Sequence, residues 1–178
     1  MSEVARVLLI GAESTGKSTL ARALAEAYGT LWNPEYGRPY TEIGRDPEAP
    51  WTSAEFTSIA RLQCWYEDFL AAYARRVLFC DTDAFTTALF HETYLGTPTR
   101  AFAELLERRY DLTLVCDVDV PWAKDGIREF DDVRDWMHAR YVEQARASGR
   151  PWLLVSGPLE QRLAAAQAAV DELLARTG

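Results

Sequence analysis

Eight residues near the start of the chain, Gly11-Ala12-Glu13-Ser14-Thr15-Gly16-Lys17-Ser18, fit the pattern G-x-x-x-x-G-K-[ST] at every fixed position. The two glycines let backbone fold tightly around a phosphate, so that successive N–H groups point inward at the start of a helix. A lysine at the seventh place reaches the β- and γ-phosphates of a nucleoside triphosphate, and the following hydroxyl ligates Mg²⁺. Gly11, Glu13, Ser14, Thr15, Gly16, Lys17, Ser18 and Thr19 are therefore the expected nucleotide contacts, with Ser18 a metal ligand. Arginine supplies 17 of the 19 positive residues and lysine two, Lys17 and Lys124, which makes the place of each lysine informative.

Phosphoryl transfer also needs an acid near the γ-phosphate, an acceptor pocket and mobile positive charge. Asp81 and Asp83, in Asp81-Thr82-Asp83, follow a short apolar run. A carboxylate there can organise Mg²⁺ or take a proton from an acceptor hydroxyl, and the alternative for either is a turn or a helix N-cap. Glu35-Tyr36-Gly37-Arg38 combines an acid, a stacking ring, a glycine and a bidentate cation, which suits an acceptor pocket. Trp122-Ala123-Lys124-Asp125-Gly126-Ile127-Arg128, extending to Arg134, has the composition of a lid. Arg128 and Arg134 would screen the transferring phosphate with help from Lys124; the alternative is a solvated charged loop.

These segments need elements to hold them. Val4–Ile10 is a nearly continuous apolar run, as in a strand covered on both faces. Lys17–Tyr28 has helical spacing and stops at Gly29, while Leu31–Pro50 is punctuated by Pro and Gly. Thr52 and Glu55 form a capping box that opens a long helix with Phe56, Ile59, Tyr66, Leu70 and Tyr73. Val77–Cys80, Leu112–Cys116 and Trp152–Val155 read as further strands. Ala84–Tyr94, Arg100–Tyr110, a segment with Val133, Met137 and Tyr141, and a segment opened by Pro158 read as helices. The alternation predicts an α/β chain with the P-loop NTPase fold. One domain over residues 1–178 would hold a central parallel sheet of about five strands, with helices on both faces and a lid near 121–134. Gly11–Ser18, Asp81–Asp83 and Asp117–Arg134 each follow a strand, where such sheets collect ligands.

Composition narrows the classes. The 178 residues carry a net charge of −8, which argues against nucleic-acid binding and against an anionic membrane surface. No apolar run approaches the roughly 20 residues of a membrane span, and the first residues carry no leader pattern. Cys64, Cys80 and Cys116 sit in apolar surroundings, so a reducing, cytoplasmic setting is expected. A guanine-reading N-K-x-D and a D-x-x-G switch, as in regulatory GTPases, do not occur, and a motor ATPase would want a further helical domain. His91 and His138 stand alone in helical segments and are expected to pack rather than to bind ligand. Oligomeric state is left open, a homo-oligomer included.

The set Gly11–Thr19, Glu35–Arg38, Asp-Thr-Asp-Ala-Phe-Thr-Thr (81–87) and Pro-Trp followed by Asp-Gly-Ile-Arg (121–128) resembles the ribosylnicotinamide kinase domain of NadR-type proteins. The resemblance implies transfer of the ATP γ-phosphate to the 5′-hydroxyl of nicotinamide riboside, in NAD salvage, with ATP and Mg²⁺. It implies that Asp81 serves the acceptor hydroxyl or the metal, and that Glu35, Tyr36 and Arg38 line the nucleoside side; Asp83 is expected among the substrate-binding residues. It makes Trp122 a stacking partner for the charged nicotinamide ring. Ser156-Gly157-Pro158, with Arg162 one turn on, resembles the family's adenine-side loop. Longer NadR proteins carry a nucleotidyltransferase domain, and some a DNA-binding domain, ahead of the kinase; with the loop at residue 11, neither activity is expected here. The readings that compete are a kinase for another nucleoside or small alcohol, and an ATP-binding sensor module without catalysis.

Overall fold

A computed structural model of the chain describes residues 4–119 and 131–177. Five strands, β1 (Ala5–Ile10), β2 (Trp32–Asn33), β3 (Val77–Asp81), β4 (Leu112–Cys116) and β5 (Trp152–Val155), form one parallel sheet in the order β2-β3-β1-β4-β5. The helices are α1 (Lys17–Tyr28), α2 (Gly37–Ile43), α3 (Ser53–Ala71), α4 (Ala84–Leu95), α5 (Asp131–Ala147) and α6 (Leu159–Thr177). From β1 the chain leaves toward β3 on one side and later toward β4 on the other. The crevice at the carboxyl end of β1 is therefore the switch point where such sheets bind ligands. Register brings Leu9 beside Asp81 and Ile10 beside Val115, so the turns after β1, β3 and β4 share one edge.

The period of two along each strand sorts the core. Val7, Leu9, Phe79, Leu114 and Cys116 pack against α1 and α6 through Leu20, Leu24, Val170 and Leu173. Leu8, Ile10, Leu78, Cys80 and Val115 face the other way, toward Leu89, Met137 and Tyr141. A third cluster, with Phe56, Ala60, Cys64, Ala84 and Phe102, joins α3 to α4. The strand and helix expectations hold closely: α1 closes on Gly29 at φ 58°, and the Thr52–Glu55 capping box is formed in both directions. Of the residues expected along this helix, Tyr66 is exposed and Tyr73 lies beyond the end of α3 at Ala71, exposed as well.

The structure corrects two expectations. Leu31–Pro50 contains β2 and α2, both too short to show a period. Arg100–Tyr110 is not an α-helix but carries a single 3-10 segment, Ala103–Glu107. The reason lies in Glu67 of α3, buried at 1% exposure. Arg108 leaves the turn in an extended conformation (φ −57°, ψ 141°). Its guanidinium then reaches Glu67 at 3.0 Å, and the Tyr110 hydroxyl reaches the other Glu67 oxygen at 2.9 Å. Arg6 of β1 completes the cluster at 2.6 Å, so one carboxylate ties α3, β1 and the start of β4 together.

Removing one member of a buried ionic cluster leaves its partners uncompensated, whereas an exposed pair contributes little. Glu67→Ala is expected to cost about 3 kcal/mol of folding stability, against less than about 1 kcal/mol for Glu172→Ala in an exposed pair with Arg176. Denaturation midpoints compared at equal slope would show the difference; equal midpoints would deny Glu67 this role.

Candidate active site

The loop between β1 and α1 is held by close backbone contact rather than by side-chain bulk. A Cβ on Gly11 would stand 2.7 Å from the Cys116 carbonyl oxygen, so only glycine lets the loop lie against the end of β4. Ser14 and Gly16 both have positive φ, 55° and 79°, which turns successive amides inward. No side chain caps the start of α1 at Gly16, so its first N–H groups face the mouth of the loop. Within the loop, the Thr15 hydroxyl and the Lys17 ammonium both donate to the Ala12 carbonyl, at 2.7 and 2.9 Å. Ser18 and Thr19, in the first turn of α1, are exposed.

Arg162, 3% exposed, braces this loop from behind. It donates to the carbonyls of Thr15 at 2.9 Å and Gly157 at 2.7 Å, and pairs with the Asp119 carboxylate. Asp119 also accepts from the Gly157 N–H. The loop 156–158 is therefore locked to the end of β4 and to the phosphate loop by one arginine. These bonds place Arg162 as a support behind the nucleotide loop.

The two acids part company. Asp81, at 0% exposure, closes β3, and one of its oxygens accepts the Ser18 hydroxyl. Its other oxygen, Oδ1, is buried with no hydrogen-bond partner among the described residues. Burial pushes its carboxyl up to about 6, against the opposing pull of the Lys17 charge and the Ser18 hydrogen bond. Thr82 then adopts φ 70°, a strained conformation for a β-branched residue. The turn carries Asp83 away: its carboxylate caps α4 by accepting from the Thr86 N–H at 2.9 Å. Asp83 lines a separate cavity of about 400 Å³ beside Tyr110 and Thr113, not the one that Asp81 lines. Burial raises its carboxyl to about 6 as well, with the Thr86 N–H and hydroxyl opposing.

The acceptor segment does meet the phosphate side. A cavity of about 640 Å³ has Ser18 and Asp81 on one wall and Glu35, Tyr36 and Arg38 on the other. The Tyr36 ring stacks on Tyr66 of α3 with centroids 6.4 Å apart, and Arg38 pairs with Glu42 at 3.5 Å. Glu35 also borders a smaller cavity of about 30 Å³ lined by Trp51, Phe56 and Gln63. Arg134 sits half-buried in the first turn of α5, while Trp122, Lys124 and Arg128 lie outside the described residues. His91 is bonded at both ring nitrogens, to Thr97 and Ser53, in keeping with a packing role.

Three residues that sequence reasoning did not assign to the site support it: Asp119, Asn33 and Gln63. Asn33 is wholly buried in β2, and its amide donates to the Gln63 carbonyl at 3.3 Å. Gln63 carried one legible signal. It occupies the same helical stripe as Phe56, Ile59 and Ala60, where an apolar residue would be ordinary.

Comparison with known proteins agrees with this geometry. The trifunctional NAD biosynthesis/regulator protein NadR of Escherichia coli (strain K12) is 38% identical over 128 residues, covering 70% of this chain and 31% of that protein. The chain thus spans about a third of the length of the curated relatives it matches. A crystal structure of NadR protein in complex with NR superposes with a TM-score of 0.79 at 25% identity, over 97% of this chain and 52% of that one. Thymidylate kinase from Ehrlichia chaffeensis shares the fold alone, with a TM-score of 0.60 at 13% identity over 94% of this chain and 98% of that one. Residues 6–162 match the model of the AAA domain family, and the chain, with its phosphate loop at the switch point of a five-stranded parallel sheet, belongs to that family.

Proposed function

We propose that this chain is an ATP-dependent kinase of nicotinamide riboside, transferring the γ-phosphoryl group to the 5′-hydroxyl to give nicotinamide mononucleotide and ADP. The observation that carries the reading is the shared cavity. Asp81 and Ser18 of the phosphate side face Glu35, Tyr36 and Arg38 across it, in a volume ample for a nucleoside. The NadR protein solved with NR superposes over nearly the whole chain, which supports nicotinamide riboside as the acceptor.

In this reading the acceptor oxygen attacks the γ-phosphorus as the bond to the β,γ-bridging oxygen breaks, and ADP leaves. Lys17 and the loop amides hold the charge on the phosphates. Asp81 Oδ1 takes the hydroxyl proton, and Oδ2 stays on the Ser18 side. Ser18 and Asp81 offer a hydroxyl and a buried, under-bonded carboxylate, the hard oxygen donors that suit Mg²⁺ together with phosphates and water. Mg²⁺ bound there would neutralise charge on the β- and γ-oxygens. Gly157 borders the adenine side with Arg162 behind it, and Asp83 acts through the strained turn rather than on substrate. Arg134 belongs to the charge-screening set, with Arg128 and Trp122 assigned from sequence. The three cysteines are buried and free, in keeping with a reducing cytoplasm. Among the described residues no helix is long and apolar enough to cross a membrane.

The test is ADP release from ATP and Mg²⁺ with and without nicotinamide riboside, other nucleosides serving as controls. Stimulation by nicotinamide riboside with nicotinamide mononucleotide as product is expected, and Lys17→Ala should lower kcat by about 10²–10³-fold. Stimulation only by another nucleoside would keep the mechanism and replace the acceptor. Tight ATP binding without stimulation by any acceptor would overturn the kinase reading in favour of a nucleotide sensor.

Asp81 sets a second prediction, on stability. Its carboxyl is raised from an ordinary 3.8 to about 6, so the folded chain holds the proton more tightly than the unfolded chain. The stability this gives is complete below about pH 4 and is lost as pH rises through 6. Asp81→Asn should therefore raise the melting temperature of the ligand-free protein at pH 8, by on the order of 2 kcal/mol of stability. The gain should vanish near pH 4, and most of kcat should be lost at every pH. An unchanged melting temperature at pH 8 would show that the carboxylate is not destabilised by burial, and normal turnover would remove Asp81 from the mechanism.

A further inference from the structure

One polar side chain links the acceptor segment at Tyr36 to the strand end at Asp81, and it also lines the smaller cavity beside Glu35. Gln63 is 2% exposed, on the buried stripe of α3. Its Oε1 accepts from the Tyr36 N–H at 2.7 Å, and its Nε2 donates to the Asp81 carbonyl at 3.3 Å. Its own main-chain carbonyl accepts from Asn33 at 3.3 Å. Both side-chain partners are backbone groups of fixed character, so only one orientation of the amide satisfies them. Tyr36 belongs to the acceptor segment, and the Asp81 carbonyl immediately precedes the strained Thr82. The Thr82 N–H, in the same peptide unit as that carbonyl, donates to the Leu9 carbonyl at 3.0 Å. A strained residue persists only where its surroundings over-determine it. The Gln63 and Leu9 bonds together fix both polar groups of the peptide unit that leads into this one.

We propose that Gln63 is a positioning residue that sets the spacing between the acceptor segment at Tyr36 and the acid at Asp81, and so controls acceptor binding and phosphoryl transfer through the backbone of those two residues. The functional part of the inference rests on the kinase reading above; the structural part does not. A glutamine suits the place because it presents one acceptor and one donor from a single planar group. Leucine fills similar space and satisfies neither partner. Glutamate keeps the acceptor for Tyr36 but turns an oxygen with no donor toward the Asp81 carbonyl, so it breaks one tie and keeps the other.

The experiment compares wild type, Gln63→Leu and Gln63→Glu in two ways. Amide exchange by NMR reads the frame directly: Tyr36 N–H should exchange at least about 10-fold faster in Gln63→Leu. Steady-state kinetics read its use. Gln63→Leu should raise KM for nicotinamide riboside and lower kcat, each by about 10-fold, with KM for ATP within about twofold of wild type. Gln63→Glu, measured at pH 8, should leave Tyr36 N–H exchange within about threefold of wild type and still lower kcat by about 10-fold. If Gln63→Leu fails to fold, the Gln63→Glu protein decides the matter alone. Unchanged exchange at Tyr36 in Gln63→Leu, an equal rise in KM for ATP, or a wild-type kcat in Gln63→Glu would overturn the proposal. If wild type shows no acceptor-stimulated turnover, the kinase reading falls, and the Tyr36 exchange rate alone decides whether the frame exists.

Discussion

A carboxylate withdrawn from water at the end of β3 is the constraint on which the phosphate side of this molecule depends. Asp81 has no exposed surface, and a buried charge must be paired, bonded or protonated. The Ser18 hydroxyl and the nearby Lys17 charge supply the first two in part, and the raised proton affinity shows that they do not suffice. Both helpers come from the phosphate loop, so that loop must lie against β3 for the fold to carry this acid at all. The loop in turn lies there because Gly11 has no side chain to collide with Cys116 and because Arg162 holds the Thr15 carbonyl from behind. Sheet register, a glycine and a buried arginine thus converge on one hydroxyl–carboxylate contact.

Arg162 shows how such a contact is kept rigid. Its side chain is almost fully buried and spends its donors on three main-chain carbonyls and one carboxylate. A guanidinium can do this because its donors are fixed in a plane, whereas a lysine would reach one partner at a time. The strained Thr82 turn is kept by the same logic, with both polar groups of the peptide unit that enters it held by Gln63 and Leu9. Two of the three non-glycine residues with positive φ among the described residues, Ser14 and Thr82, follow the ends of β1 and β3. Elsewhere Glu67 gathers the Arg6, Arg108 and Tyr110 side chains onto its two oxygens.

Much of this was legible in the amino-acid sequence. The apolar runs of β1, β3, β4 and β5, the helix of Lys17–Tyr28 and the capping box at Thr52 follow from local patterns that tertiary structure had no reason to override. β2 and α2 were not legible, because two and seven residues cannot display a period. Arg100–Tyr110 misled because its apolar spacing is helical, while the partners that decide its path, Glu67 and the backbone of Arg6, lie far away in sequence. The motif residues told which chemistry to expect but not which way each side chain would turn. Asp81 and Asp83 look equivalent in Asp-Thr-Asp until the positive φ of Thr82 sends them to different cavities. Gln63 was visible as a polar residue on an apolar stripe, though its two partners were not.

The two walls of the crevice are built with unequal rigidity. The phosphate wall hangs on the three central strands, which are joined to one another and to β5 over four or five residues at each pairing. The acceptor wall hangs on β2, an edge strand joined to the sheet through Trp32 and Asn33 only, followed by the short helix α2 with no fully buried residue. An edge element with so few ladder bonds can change its sequence and path without disturbing the core. It therefore needs a separate device to fix its distance from the reacting centre. Hydrogen bonds from α3, a long helix anchored through Phe56, Cys64 and Glu67, provide that device. A scaffold of this kind keeps one phosphoryl-transfer geometry while its acceptor wall is free to diverge, because the chemistry and the recognition are carried by different strands.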